Sequence, residues 1–290
     1  MSAVGSQPFS IGSVIGQSLA VLGRNLVSFL LIALIVTIAM YIVIGVTAVI
    51  FFGAAMMSGA SMMPSGGESM GPLAMLSLGG TAVVGIIVIV VLAVAISQLS
   101  TAAITFGTIQ DLRGRRAGIG ECLSRGIALM LPVLGVSVLG SLLIFGIAGV
   151  VGYVLYQVHP VLGAVAAAVL TVAGAIMLWV AIPVAVVEGP GVIASLQRSV
   201  ALTAGYRWHL LGMFILLGIA AVVVFGGYGL LVEGLTHVSG ALGATLSFIG
   251  NIVLSLLVNA YLAALAAVGY YSLRVGKEGA DIAEVAKVFD

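Results

Sequence analysis

The chain has 290 residues, 62% of them hydrophobic and only 7% charged, with a net charge of +1. A charged fraction so far below the roughly 25% of soluble domains excludes an ordinary water-soluble fold. The near-neutral balance itself says nothing about nucleic-acid or acidic partners, of which no nucleic acid is expected, and the lone Cys122 excludes an internal disulfide framework or a cysteine-rich metal site.

The first nine residues carry no charged side chain, and the apolar stretch after them is too long for a signal-peptide core, so the N-terminus reads as retained. Residues 11–22, IGSVIGQSLAVL, set Ile11, Val14, Ile15, Leu19 and Leu22 on one helical face. Such a segment just before a span predicts an interfacial helix lying in the headgroup plane. Crossing a hydrocarbon core of roughly 30 Å takes about 20 apolar residues as helix. Six stretches meet that need, at 26–52, 78–106, 129–156, 161–187, 210–232 and 242–272. They are continuous rather than alternating with a period of two, which predicts helices and not barrel strands.

Between the first two spans, residues 53–77 are rich in Gly and Ser and carry Met56, Met57, Met62, Met63, Met70 and Met75. The first reading is an adaptable loop; a second is a Cu(I) site built from soft thioethers, although no tight Met-x-Met spacing occurs. Pro132 and Pro183 predict kinks in the third and fourth spans. Gly226, Gly227 and Gly229 in the fifth read as close helix packing. The tail carries Ile282, Val285, Ala286 and Phe289 on one side of a short amphipathic pattern.

Residues 119–130 and 192–203 resemble 11–22 when aligned without gaps. The three share a polar residue at Gln17, Arg125 and Arg198, a small one at Ser18, Gly126 and Ser199, and alanine at Ala20, Ala128 and Ala201. The expected architecture is therefore a single all-α transmembrane domain of six helices. It is arranged in three parallel repeats of interfacial helix plus helical pair, at about 9–110, 117–187 and 190–272, followed by a cytoplasmic tail at 273–290. The inverted symmetry of many secondary transporters is not visible.

All ten basic residues fall on one side of this zigzag: Arg24; Arg113, Arg115, Arg116 and Arg125; Arg198 and Arg207; Arg274, Lys277 and Lys287. Lys and Arg are retained in short cytoplasmic loops, so both termini are expected inside. There Arg113, Arg115, Arg116, Arg125, Arg198 and Arg207 would each gain about 1 kcal/mol from anionic lipid, a role compatible with plain topogenic charge. Trp208 and His209, beside Tyr206 and Arg207, read as interfacial anchors, and Tyr270 and Tyr271 with Arg274 repeat that arrangement.

The sixth span carries Ser247, Asn251, Ser255 and Asn259 at every fourth position, and the second offers Ser97, Thr101 and Thr105 at the same spacing, with Gln98 and Thr108 nearby. Asparagine in hydrocarbon is costly unless satisfied, so this face is expected to point into the bundle as a polar seam. Interhelical hydrogen bonding is its first reading, and a path or cleft for a polar solute or lipid headgroup its second. No HExxH, phosphate-cradling GxxxxGK[ST] or nucleophile triad is present, so neither an enzyme nor a cofactor is expected.

The opening FSIGSVIGQSLAVLGRNLVSFL and the stretch EGPGVIASLQRSVALTAGYRWHLLGMF, set in a six-span plan, resemble poorly characterised bacterial membrane proteins related to the membrane domain of glycerophosphoryl diester phosphodiesterases. In fused relatives the activity resides in a separate soluble domain, so the resemblance implies the membrane fold and carries over no catalytic residue. The expectation is a non-enzymatic scaffold or lipid-organising factor, which the resemblance sets in a bacterial inner membrane. Its partners would be anionic membrane lipids, with a protein partner or a second copy also in view. The alternative is a permease for a small or lipid-like solute through the seam between spans two and six.

Overall fold

The computed structural model describes residues 10–61 and 72–278, which are helical throughout apart from short turns. The helices are α1 (Ile11–Ser61), α2 (Pro72–Leu112), α3 (Ile119–Tyr156), α4 (Pro160–Leu178), α5 (Ala181–Val187), α6 (Val192–Thr203), α7 (Arg207–Val238) and α8 (Gly240–Glu278). Six stretches are long and apolar enough to cross a membrane, the fourth being α4 and α5 together. Helix is the form in which such apolar runs satisfy every backbone group without water. The middle of the methionine-rich connector, 62–71, and most of the amphipathic tail, 279–290, lie outside the described residues.

The proline and cap chemistry explains where the helices start and break. Pro160 opens α4 at a position where its missing N–H is no loss, and His159 Nδ1 accepts from Val161 N at 3.2 Å. The kink expected at Pro183 is realised as a break at Val180, at φ −98° and ψ 11°, which places Pro183 in the first turn of α5. Pro132 sits inside α3, which continues through it as one helix.

The three segments 11–22, 119–130 and 192–203 bury the same positions. Val14, Cys122 and Ser195 are buried, as are Ser18, Gly126 and Ser199, and then Val21 and Leu202 with Leu129 half-buried. Their connections to the following spans differ. The first bends off at Asn25, at φ −116° and ψ 16°, and the third is the free-standing α6, ended by Gly205 at φ 91°. The second is no separate helix but the first turns of α3. Its join at 130–131 holds neither a left-handed glycine nor an asparagine that bonds back to the backbone, the two devices that interrupt the others.

The dense core lies at the end of the bundle that carries the basic residues. It gathers Phe29 and Ile32 of α1, Ile104 of α2, Val133 of α3, Val184 of α5, and Leu265 and Leu273 of α8. Small residues let backbones close there: a Cβ on Gly126 would meet Ala103 Cβ and Leu99 O at 3.0 Å, and one on Gly107 would meet the Phe29 ring. Toward the opposite end the helices pair off as hairpins. Gly85 of α2 meets Phe51 of α1, Gly163 of α4 meets Gly152 O of α3, and Gly250 of α8 meets the Tyr228 ring of α7. No described residue of α7 beyond Met213 is buried, and Gly226, Gly227 and Gly229 face open space instead of a packed neighbour. For these three glycines the packing expected from sequence is corrected: exposed apolar surface costs nothing against lipid, so nothing forces α7 inward.

Candidate functional site

Two polar regions interrupt the apolar bundle, and the first is its basic end. Helix α2 ends there in a Schellman turn: Arg115 N donates to Gln110 O at 3.0 Å and Gly114 N to Asp111 O at 2.9 Å, with Gly114 at φ 76°. The Asp111 carboxylate accepts from Arg24 at 2.6 Å and from Asn25 Nδ2 at 2.8 Å. Asn25 Nδ2 also donates to Val21 O at 3.0 Å, so the residue that bends α1 is held by the end of α2.

A second cluster joins the 188–191 turn to α6 and α8. Gly189 and Gly191, at φ 60° and 97°, reverse the chain after α5 and leave Glu188 facing both helices. Glu188 accepts from Tyr270 OH at 2.7 Å and from Arg198 Nε at 3.2 Å. Arg274 donates to Tyr270 OH at 3.1 Å and to Glu278 at 3.2 Å, and Arg198 also pairs with Glu278. Burial opposes the charge on Arg198, but the hydrogen bond to Glu278 and the field of Glu188 outweigh it and raise its pKa. Lys277 Nζ donates to Ala201 O, adding a further tie to α6.

These contacts sort the six arginines expected to meet lipid. Arg198 is committed to Glu188 and Glu278 inside the protein. Arg207 lies with the 82% exposed Trp208 at the mouth of an apolar groove of about 540 Å³ between α4 and α7. Arg116 is exposed. Arg113, Arg115 and Arg125 line one pocket of about 470 Å³ between the ends of α2, α3 and α5. Trp208 and His209 are exposed as anchors would be, whereas Tyr270 is 1% exposed and is the hub of the ionic cluster, which corrects its reading as an anchor.

The second region is the polar face of α8, and it does not form the single inward seam expected. Ser100 Oγ donates to Asn259 Oδ1 at 3.3 Å, and these two line a cleft of about 170 Å³ with Ser97, Ser255, Thr37 and Tyr41. Ser247 and Asn251 lie outside that cleft. Asn251 is exposed and turns back on its own helix, donating to Ser247 O at 2.6 Å, while the exposed Ser255 bonds Ile252 O. On α2, Thr101 bonds Ser97 O at 3.4 Å, and Thr105 is buried away from the cleft with Thr105 Oγ1 unpartnered. A row spaced by four residues drifts about 40° around the helix per step, so Ser247 and Asn259 differ by about 120° in direction. One straight contact with α2 cannot cover the whole row. Sequence reading also missed Ser100, one residue off the chosen register, and the α2–α3 bond from Ser137 Oγ to Gln98 Oε1 at 2.9 Å.

Fold and polar regions together define a multi-pass α-helical membrane protein whose charged groups are concentrated at one end. Compared with protein-family models, with curated proteins and with solved structures, the chain finds no match. Among the described residues no group of three or more His, Cys, Asp or Glu is placed to hold a metal ion.

Proposed function

We propose that this protein is a non-enzymatic scaffold or lipid-organising factor of a bacterial inner membrane, with its basic end in the cytoplasm and in contact with anionic headgroups. The observation that carries this reading is the sorting of arginines at that end: Arg24 and Arg198 tie the helices together, while Arg116 and Arg207 are left exposed at the surface. An exposed basic group beside an anionic leaflet gains about 1 kcal/mol, so such a cluster biases the lipid around the bundle. Kinship with the membrane domains of glycerophosphoryl diester phosphodiesterases belongs to the same proposal and rests on residues 9–30 and 188–214. The test is native mass spectrometry on protein extracted with its surrounding membrane in a mild polymer. Enrichment of anionic lipid over the bulk membrane, or a stoichiometric protein companion, is expected; absence of both removes the reading.

The cleft between α1, α2 and α8 favours a second reading, a permease for a small polar or lipid-like solute. Solute flux in proteoliposomes that is lost in Asn259→Leu but kept in Asn251→Leu would move this reading ahead of the first, because only Asn259 lines the cleft.

A further inference from the structure

We propose that the groove between α4 and α7 holds one anionic phospholipid of the leaflet at the basic end, its phosphate on Arg207 and an acyl chain along α4. The inference rests on the lipid-organising reading and deepens it, by naming one site and one class of occupant. Three features of the groove support it.

The first is lining and depth. The groove encloses about 540 Å³, and apart from Arg207 its walls are aliphatic side chains, Met177 and Trp208. Ile176 is buried at one end of it, while Val169 and Ala173 stand exposed along it. A helix rises about 1.5 Å per residue, so from Met177 to Ala168 the groove runs roughly 13 Å along α4. Half of a hydrocarbon core of roughly 30 Å has about the same depth. One lipid reaching in from one face of the membrane matches that length.

The second is the polar end. Ser199 Oγ and Thr203 Oγ1 donate to Met177 O at 2.9 and 3.3 Å, which pins α6 to the end of α4. The turn at Gly205, at φ 91°, then starts α7 with Arg207 and Trp208 beside the groove. A guanidinium meets phosphate oxygens with paired donors, and an exposed tryptophan suits the headgroup level. With five N–H donors Arg207 can serve a phosphate and another acceptor together, so the site does not require it to be otherwise unpaired.

The third is fixed walls. Trp179, at the end of α4, packs edge-on against Phe214 of α7 with ring centres 5.6 Å apart, and Gly269 of α8 leaves room for the Trp179 ring. The spacing of α4 and α7 is thereby set before a lipid enters, and a preformed site loses less freedom on binding. Apolar contact by itself gives no preference in a bilayer, because any acyl chain matches such a wall. Selection therefore falls to the headgroup contact at Arg207, while the groove fixes where the lipid lies. The two parts can be tested apart.

The experiment uses the full chain in nanodiscs of phosphatidylcholine containing phosphatidylglycerol, with retained lipid counted by native mass spectrometry. Wild type is expected to keep one phosphatidylglycerol per chain. Arg207→Gln should weaken that retention about tenfold, and Arg207→Lys less. Arg116→Gln, at an exposed arginine outside the groove, should match wild type. Ala173→Phe and Ala168→Phe fill the groove from its two ends and should expel the lipid although Arg207 is intact. Both alanines are exposed, so melting temperatures should stay near wild type, and Ala173→Ser, which leaves the groove open, should keep the lipid. No retention by wild type, or unchanged retention in both filled variants, would overturn the groove. Equal losses in Arg207→Gln and Arg116→Gln would overturn it in favour of diffuse attraction. A two-chain species without bound lipid, reduced to single chains by Ala173→Phe, would assign the groove to a second copy and overturn the lipid. Failure at the groove with anionic lipid still enriched in extracted membrane would show that the broader reading survives it.

Discussion

At the scale of single residues, the rare polar groups carry consequences out of proportion to their number. Tyr270 is buried and its hydroxyl donates to the Glu188 carboxylate at 2.7 Å. Tyr270→Phe keeps the ring and removes that bond. The expected cost is about 1.5–3 kcal/mol, the range for hydrogen bonds to charged groups, read as a lower melting temperature in nanodiscs. A melting temperature equal to wild type would mean that the cluster is not coupled to stability. Gly114, at φ 76°, closes α2 in a conformation that costs residues with a Cβ about 1–2 kcal/mol. Gly114→Val should therefore destabilise by that amount, whereas Gly118→Ala, at an ordinary φ of −69° with open space around it, should be near neutral in the same melt.

At the scale of helices, glycine separates pairs that close tightly from faces that meet nothing. A Cβ on Gly163 would lie 2.6 Å from Gly152 O and 2.7 Å from Tyr156 Cα, contacts with backbone that no side-chain rotation relieves. Gly163→Val is expected to cost about 1–3 kcal/mol or more by overpacking and to loosen the α3–α4 hairpin. Gly227→Val, with open space at its Cβ, should cost little. Equal melting temperatures for the two variants would contradict this packing. Nothing in the local sequence distinguishes these glycines, since both sit in apolar runs; the neighbour across the helix pair decides. Of the positions shared by 11–22, 119–130 and 192–203, the small residue at Ser18, Gly126 and Ser199 is the one buried throughout, while the shared alanines are exposed in all three segments. Their different connections depended on Asn25 finding Asp111, a contact 86 residues away.

At the scale of the molecule, the bundle is tied at its basic end and loosens into hairpins toward the other. Arg24 with Asp111 joins α1 to α2, and Arg198 with Glu188 and Glu278 joins the turn after α5 to α6 and α8. The orientation reading has a direct test, because Cys122 is buried and contributes little background labelling. In intact cells, an impermeant maleimide should label Gln157→Cys, in the connector free of Lys and Arg, and should spare Arg116→Cys until the membrane is opened. The reverse pattern would invert the topology and place the basic end outside.

The class of this protein follows from the sequence alone, because six long apolar runs have one stable form in lipid, and composition over 20 residues needs no knowledge of neighbours. The one-sided placement of Lys and Arg was equally legible, since it depends only on alternation along the chain. Which arginines are spent on internal ion pairs, which three share a pocket, and which part of the α8 polar row meets α2 were decided by the tertiary structure. Those outcomes depend on how far each helix rotates and on what lies across from it, and a linear spacing of four residues does not determine either.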